Sequence, residues 1–216
     1  TTDQPFLIRS AADWTDKSRL TLEGTGNRYA YRLLCDISTF SEVFGFNGSL
    51  IGQGHTMNAS MSVGPEGYLG NVQLTGVIHE NKGVIEYCYA DQFGSNNGGT
   101  IRNCRASGSY GFASENLNGG VIENCCYKGA VSNTDRAAGG FVHNNNNAVI
   151  RNCYAEATVW NPYIAGGFVG RNDNGGTIEN CYAIASVSGD GYTGGFAGAN
   201  YAVSYTHLTL PTTSRV

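Results

Sequence analysis

The chain has 216 residues with 31 Gly, only 4 Pro, 14% charged residues and a formal net charge of −4. This weak acidity argues against a nucleic-acid partner, because recognition of nucleic acid requires a basic face. The glycine share is about twice the usual one, and with so little proline it indicates tight turns between short strands. No apolar run approaches the roughly 18 residues of a membrane-spanning helix, so no transmembrane segment is expected.

The first 45 residues are predicted to form an N-terminal cap with a lead-in strand. Ser10 to Asp13 has the pattern of a helix capping box and predicts a short helix that continues to about Leu20. Residues 29–37 are typical of a strand, and residues 44–57 are typical of early coils. A helical or irregular segment at this place would cover the open end of a stack, which a soluble solenoid requires.

From residue 46 to 202 one phrase recurs, and its clearest copies are 28 residues apart. The copy at 166–183 reads Gly-Gly-Phe-Val-Gly-Arg-Asn-Asp-Asn-Gly-Gly-Thr-Ile-Glu-Asn-Cys-Tyr-Ala. Self-similarity at a fixed period of roughly 20 to 50 residues is the signature of a stacked solenoid. Helical solenoids need amphipathic runs of about 10 to 15 residues, and none occurs here. The sequence therefore predicts an all-β fold, a parallel β-helix over 46–202.

Two adjacent columns of the aligned copies indicate that successive coils lie in register. An inward isoleucine is followed by a solvent-facing charged residue whose sign alternates from coil to coil. Neighbouring coils of a parallel stack lie about 4.8 Å apart, so alternating charges attract where like charges would repel. The isoleucines are Ile85, Ile101, Ile122, Ile150 and Ile178, and the charged residues are Glu86, Arg102, Glu123, Arg151 and Glu179.

The next three columns predict a bend, a buried cysteine and an outward residue. The bend residue is Asn in all copies but the first, and Asn tolerates the left-handed backbone conformation. Tyr87 departs from this and predicts a different turn in the first copy. Stacked parallel cysteines lack the torsion of a disulfide, so free thiols are favoured over disulfides. The three columns are Tyr87, Asn103, Asn124, Asn152, Asn180; Cys88, Cys104, Cys125, Cys153, Cys181; and Tyr89, Arg105, Cys126, Tyr154, Tyr182.

A second phrase predicts the other side of each coil, with an inward apolar residue followed at a constant offset by Asn at a second bend. Spacings of 16 and 21 residues between the first three column cysteines, against 28 later, make the early coils the least regular. The apolar column is Val77, Phe112, Phe141, Phe168, Phe196, and the Asn column is Asn81, Asn116, Asn145, Asn172, Asn200.

The phrase at 166–183, with the upstream segments 34–37 and 46–56, resembles the GLUG repeat of bacterial surface and secreted proteins. The resemblance extends over roughly residues 5–202 and is most specific at 111–200. It implies a right-handed parallel β-helix, an extracellular or cell-wall location and no catalytic residues. In that family the repeats occur in large adhesin-like exoproteins and beside the metalloprotease that cleaves immunoglobulin A.

The residues that could bind a metal or catalyse a reaction are better explained by structure. His79 and His143 share a repeat position, but one row lies between them, so they are expected about 10 Å apart. One zinc ion cannot bridge that distance. The acids of the repeats are mostly spread one per coil with Arg between them, whereas glycosidases need converging carboxyls. We therefore expect no catalytic site, no metal and no cofactor.

The outward residues Tyr89, Arg105, Tyr154 and Tyr182 form a candidate binding stripe. Aromatic rings on a rigid ridge can stack on sugar rings or anchor a protein, or they can stack on each other along the ladder. Cys126, in the same column, is expected to be exposed and reactive. The expected partner is a glycan or protein of a host or cell surface, bound by a monomeric chain.

The favoured function is a non-catalytic structural and interaction module of a bacterial cell-surface or secreted protein, adhesin-like in its role. One alternative is a carbohydrate-active or carbohydrate-binding β-helix. Another is the accessory region of a secreted metalloprotease, although no His-Glu-x-x-His motif occurs in these 216 residues.

Residues 203–216 share none of the features of the repeat. The run Val203-Ser-Tyr-Thr-His-Leu-Thr-Leu-Pro-Thr212 resembles the translated end of a sequencing-library adapter. We expect this tail to be non-native and the gene to continue beyond Ala202. The alternative is a short terminal strand, since Tyr, Thr and Leu have fair β propensity.

Overall fold

A computed structural model describes residues 4–14, 29–134 and 136–202 of the chain. The described chain is a succession of short strands, and every pairing between them is parallel. In chain order the strands are β1 Phe6–Ile8, β2 Ala30–Leu33, β3 Ile37–Phe46, β4 Ser49–Ile51, β5 Thr56–Val63, β6 Tyr68–Gly70, β7 Gln73–Leu74, β8 Val77–Asn81, β9 Val84–Glu86, β10 Tyr89–Ala90, β11 Gln92–Asn97, β12 Thr100–Arg102, β13 Arg105–Ala106, β14 Ala113–Leu117, β15 Val121–Glu123, β16 Cys126–Ser132, β17 Ala138–Gly139, β18 Val142–Asn146, β19 Val149–Arg151, β20 Tyr154–Trp160, β21 Ile164–Gly166, β22 Val169–Asp173, β23 Thr177–Glu179, β24 Tyr182–Ser188, β25 Tyr192–Gly194 and β26 Ala197–Asn200.

The strands stack into three faces that each circuit of the chain crosses in turn. The first face is a nine-stranded sheet in the order β1-β2-β4-β6-β9-β12-β15-β19-β23. The second face runs β7-β10-β13-β16-β20-β24 and the third runs β8-β11-β14-β18-β22-β26. These two faces meet at β5, whose beginning pairs with β7 and whose end pairs with β8. The predicted parallel β-helix is confirmed.

Coils of different length stay in register because most of the extra residues lie between the column cysteine and the second-bend asparagine. β10 and β13 have two residues each, whereas β16, β20 and β24 have seven. The last three coils also contain β17, β21 and β25, which form a separate three-stranded sheet. The coil that joins Cys88 to Cys104, 16 residues apart, therefore still crosses all three faces.

The interior is filled by columns of identical or similar side chains. The isoleucine column is confirmed, since its members pair directly from coil to coil and Ile85, Ile101, Ile122 and Ile150 are fully buried. The column of phenylalanine rings is stacked, with centroids 4.6 to 5.0 Å apart. Its members are Phe93, Phe112, Phe141, Phe168 and Phe196.

The prediction that Val77 heads the aromatic column was wrong. Phe93 pairs with Ile78, and Ile78 is fully buried while Val77 is half-buried. The reason is a shift of register in β11 between Phe93 and Asn96, which breaks the constant offset assumed from the later coils. The same row supplies Asn97, a column member that the alignment of phrases missed.

The second-bend asparagines form a chain of amides from Asn81 to Asn200 that is buried in every coil but the last. Each side-chain NH₂ donates to the side-chain oxygen of the next coil at 2.8 to 3.1 Å. Buried amides are costly unless paired, so this chain fixes the register of one coil on the next. Its members are Asn81, Asn97, Asn116, Asn145, Asn172 and Asn200.

The first bend is left-handed in every copy. Asn103, Asn124, Asn152 and Asn180 have φ between 51° and 56°, as predicted. Tyr87 has φ 56° as well, so the prediction of a different turn at this residue was wrong: the backbone turn is kept and the tyrosine is accommodated in it.

The five column cysteines are buried thiols, and none of the chain's cysteines forms a disulfide. The backbone N–H of Cys88 donates to Sγ of Cys104 at 3.4 Å, and each later pair repeats this contact. Burial raises the pKa of the Cys88 and Cys125 thiols, which keeps them protonated and unreactive at neutral pH.

The N-terminal segment packs on the first coils. Residues 11–14 form a helical turn, and the Asp13 N–H donates to the Ser10 hydroxyl at 3.2 Å. Trp14 is buried, with its ring 6.1 Å from that of Tyr31 and 6.2 Å from that of Phe46. The predicted continuation of the helix to Leu20 lies outside the described residues.

The strand predicted over 29–37 was wrong in extent. The structure has β2 and the start of β3 there, separated by a bend at residues 34–35. β1 and β2 already belong to the nine-stranded sheet, so parallel stacking reaches into the first 45 residues. The division at 45/46 stays a prediction, and the predicted non-native tail at 203–216 lies outside the described residues.

The charged column on the first face forms ion pairs between neighbouring coils. Arg102 lies 2.5 Å from Glu86, and Arg151 lies 2.6 Å from Glu123. Glu86 also accepts a hydrogen bond from the Tyr68 hydroxyl at 2.5 Å. This hydroxyl, followed by the Arg102 guanidinium, lowers the pKa of the Glu86 carboxyl.

We expect Glu86→Gln to flatten the acid limb of the stability curve. Because the folded-state pKa lies below the unfolded value of about 4.3, the carboxylate stabilises the fold above that value. The contribution is lost as the pH falls through the folded pKa. Urea unfolding at pH 7 and at steps below about pH 5 should therefore show the two proteins converging in acid. Parallel curves would contradict this role of Glu86.

Candidate functional site

The structure brings all four residues of the predicted stripe into one outward column of the second face. Tyr89 pairs with Arg105, and the register then passes through Cys126 to Tyr154 and Tyr182. Each lies at the first position of its strand, directly after a buried cysteine, so the alternation of side chains turns it outward. The stripe is thus a geometric unit, and its binding role stays a prediction.

The column has two halves with different environments. Tyr154 and Tyr182 stack with ring centroids 5.2 Å apart and planes 5° from parallel. The rings therefore cover each other's inner faces. This is the mutual stacking along the ladder that the sequence analysis gave as an alternative to ligand binding. Tyr182 in the last described coil is exposed, and Ile184 beside it on the same outer surface is exposed too.

The other half of the column borders an open groove of about 630 Å³ along the first bend, which we call the corner groove. Column cysteines, bend residues and residues of the outward column together line this groove. The lining residues are Asn71, Gln73, Tyr87, Cys88, Tyr89, Asn103, Cys104, Arg105, Asn124 and Cys126.

Arg105 is the one side chain of fixed positive charge among the residues that line the corner groove. The guanidinium forms no ion pair with any described residue, in contrast to Arg102 and Arg151 on the first face. A hydrogen bond to Cys126 raises the pKa of the Arg105 guanidinium. Tyr89, beside it, shares a short hydrogen bond with the Ser107 hydroxyl.

Cys126 is half-buried, so the prediction that it is exposed was wrong. Its side chain lies between Arg105 and Tyr154 and interacts with both. The neighbouring long side chains shield the thiol, which sequence alignment could not show because it places each residue only in a column.

A second polar cluster lies on the outer surface of the third face, which sequence reasoning missed. Glu115, Asn144 and Arg171 are aligned in three successive coils, and Asn144 donates to Glu115 at 3.2 Å. Arg171 pairs with Asp173 at 3.0 Å. Burial is the main cause that raises the pKa of the Glu115 carboxyl. Two atoms of the cluster, Asn144 Oδ1 and Arg171 Nε, are buried without a hydrogen-bond partner.

The cluster corrects the expectation that acids are spread one per coil with Arg between them. That pattern holds on the first face, where the phrase Ile-x-Asn-Cys was aligned. On the third face Glu115 and Asp173 lie close enough to affect each other's charge, and both lie near Arg171. The available signal was the outward position three residues after each column phenylalanine, which the alignment left unused.

The two histidines of the shared repeat position lie further apart than predicted. His79 is in β8 and His143 in β18, and two strands, β11 and β14, lie between them. Phe93 and Asn97 form the row that was overlooked. His143 is buried, with Nδ1 accepting from the Gly139 N–H at 3.1 Å. Within 4–14, 29–134 and 136–202, no three His, Cys, Asp or Glu residues are grouped to hold a metal ion.

No helix in the described part of the chain is long and apolar enough to cross a membrane. Comparisons with curated proteins and with solved structures found no match. Comparison with protein families matches residues 161–188 to the GLUG motif. This stretch runs from β21 to the end of β24 and contains the last stacked tyrosine of the stripe. Residues 161–188 therefore form a GLUG motif.

Proposed function

We propose that this chain is a non-catalytic structural and interaction module of a bacterial cell-surface or secreted protein, adhesin-like and monomeric. The amide chain and the stacked rings make the coil a rigid support. A rigid support holds outward side chains at the spacing of the coils, about 4.8 Å. Such pre-organisation lowers the entropic cost of binding an extended partner.

The observation that carries the proposal is the outward column of the second face. Its aromatic and cationic residues contribute no packing to the interior of the coil, and they follow one another in strict register. Tyrosine and arginine are enriched in binding surfaces because each offers an apolar body and a polar end. A cell-surface glycan fits this column best, since a sugar ring can stack on an exposed aromatic ring.

Glycan-array binding by the full chain tests this function. The double variant Tyr154→Ala/Tyr182→Ala should weaken binding about fivefold or more, because it removes the ring surface of one half of the stripe. A matched control is Tyr163→Ala/Tyr192→Ala, which removes two exposed tyrosines from another side of the last coils. Equal binding by the stripe variant and the unchanged protein would contradict a role for these rings.

The polar cluster of the third face is the one observation that favours a carbohydrate-active alternative. Glycoside hydrolysis uses one carboxyl of raised pKa as an acid and a second carboxylate nearby, and Glu115 has a raised pKa. Two contacts argue against an enzyme. Glu115 accepts a hydrogen bond from Asn144, and Asp173 forms an ion pair with Arg171. We expect no release of reducing ends from any glycan bound on the array. Release that disappears in Glu115→Gln would favour the enzyme instead.

A further inference from the structure

We propose that the corner groove binds a carboxylated oligosaccharide, with Arg105 holding a carboxylate while Tyr87 and Tyr89 pack against sugar rings. This inference rests on the proposed interaction function and names its ligand class and its location. It moves the centre of binding from the stacked pair Tyr154 and Tyr182 to the other half of the column.

Tyr87 lines the corner groove at the first bend. It has φ 56° at a bend where each of the four later copies has Asn, and a bulky side chain is a rare occupant of that backbone region. The side chain of Tyr87 is 62% exposed, and its ring makes no hydrogen bond or ring contact with the described residues. The ring therefore adds no contact that stabilises the fold. An unfavourable residue without a structural partner, on the wall of a groove, points to a ligand.

Arg105 supplies a positive charge to the corner groove. Arg102 and Arg151 on the first face each form an ion pair with a glutamate of the adjacent coil. Arg105 has no carboxylate partner among the described residues, and its outward column neighbours Tyr89 and Cys126 carry no fixed charge. A planar guanidinium binds a carboxylate through two parallel hydrogen bonds. A carboxylate of the ligand is therefore the best partner for Arg105.

Side-chain amides also line the corner groove. Asn71, Asn103 and Asn124 share the left-handed bend in three of four successive rows, and Gln73 directly precedes Tyr89 on the second face. Four rows at about 4.8 Å span about 14 Å, enough for a short oligosaccharide that lies along the axis. Side-chain amides offer both donors and acceptors, which suits the hydroxyl groups of sugars.

An acidic peptide fits the groove less well. Peptides that bind to sheets usually add a strand to an unpaired edge. The strands that border the groove are interior to the second face, since β10 pairs with β7 on one side and β13 on the other. Their backbone groups are therefore already used, and the groove offers side chains only.

The test is titration calorimetry of the full chain with tri-galacturonate and with the neutral trisaccharide of galactose. We expect Arg105→Gln to weaken tri-galacturonate binding about tenfold or more and to leave the weaker binding of the neutral sugar unchanged. Tyr87→Asn restores the residue of the other copies, so it should fold at least as well. It should weaken binding of both sugars about fivefold. The control Lys128→Gln removes one positive charge from the same face and should change binding less than about twofold.

Four other outcomes would each reject one part of the proposal. Binding of a neutral glycan on the array without binding of tri-galacturonate would reject the carboxylated ligand and keep the interaction function. Binding of tri-galacturonate that Arg105→Gln and Tyr87→Asn leave unchanged would reject the corner groove as the site. Equal binding of tri-glutamate would reject a saccharide as the ligand class. No ligand in either experiment would reject the interaction function itself.

Discussion

Asn145→Leu is expected to lower the free energy of unfolding by about 3 kcal/mol, because it breaks the buried amide chain in its middle. The Asn145 oxygen accepts from Asn116 at 2.9 Å, and its NH₂ donates to Asn172 at 2.8 Å. Leucine fills the space but leaves a donor of Asn116 and the acceptor of Asn172 unpaired. Both groups are buried, and each unsatisfied group costs about 1 to 3 kcal/mol.

The matched control is Asn146→Leu at the next position of β18. Asn146 points outward and accepts one exposed hydrogen bond from Asn174. We expect a loss within about 0.5 to 1 kcal/mol, measured like that of Asn145→Leu by urea unfolding at pH 7. Equal losses in the two variants would show that the amide chain does not stabilise the stack as described.

Gly167→Ala is the second substitution with a large expected effect, about 3 kcal/mol of lost stability. A Cβ at Gly167 would overlap the carbonyl oxygen of Gly195 in the next coil and come within 2.8 Å of Ala185 Cβ. Backbone cannot yield as a flexible side chain does, so the coils would have to separate locally. The glycine is required here by the close approach of two coils.

Gly195→Ala tests the same repeat position without the steric conflict. No described atom lies within 4 Å of a Cβ built there, so the change should be tolerated or should stabilise by about 0.4 to 1 kcal/mol. Thermal unfolding of both variants gives the comparison. A neutral Gly167→Ala would mean that the spacing between these coils is wider than the structure has it.

The sequence was sufficient to predict the stack wherever one phrase recurs with one offset. Ile122, Ile150 and Ile178, with their neighbouring charges, lie as the alignment predicted. The reason is physical: identical residues in parallel neighbours occupy identical environments, so each column reports on its own burial.

The errors fall where that repetition is interrupted. Val77 was assigned to the apolar column where the structure has Ile78, because a shift in β11 changes the offset in one coil. The turn at Tyr87 was predicted wrongly because the neighbouring coils impose the left-handed backbone conformation despite the low propensity of tyrosine for it. The groove at Arg105 depends on which faces adjoin at a corner. No column of the alignment contains that information.

The central claim is that neighbouring coils lie directly on one another, and methyl NMR of the isoleucine side chains tests it most directly. In this 22.9 kDa chain, selective isoleucine labelling should give cross-relaxation between Ile122 and Ile150 and between Ile150 and Ile178. Ile122 and Ile178, two coils or about 10 Å apart, should give none or a much weaker signal. Absence of the two neighbouring signals, or a stronger signal between Ile122 and Ile178, would contradict the stacked register.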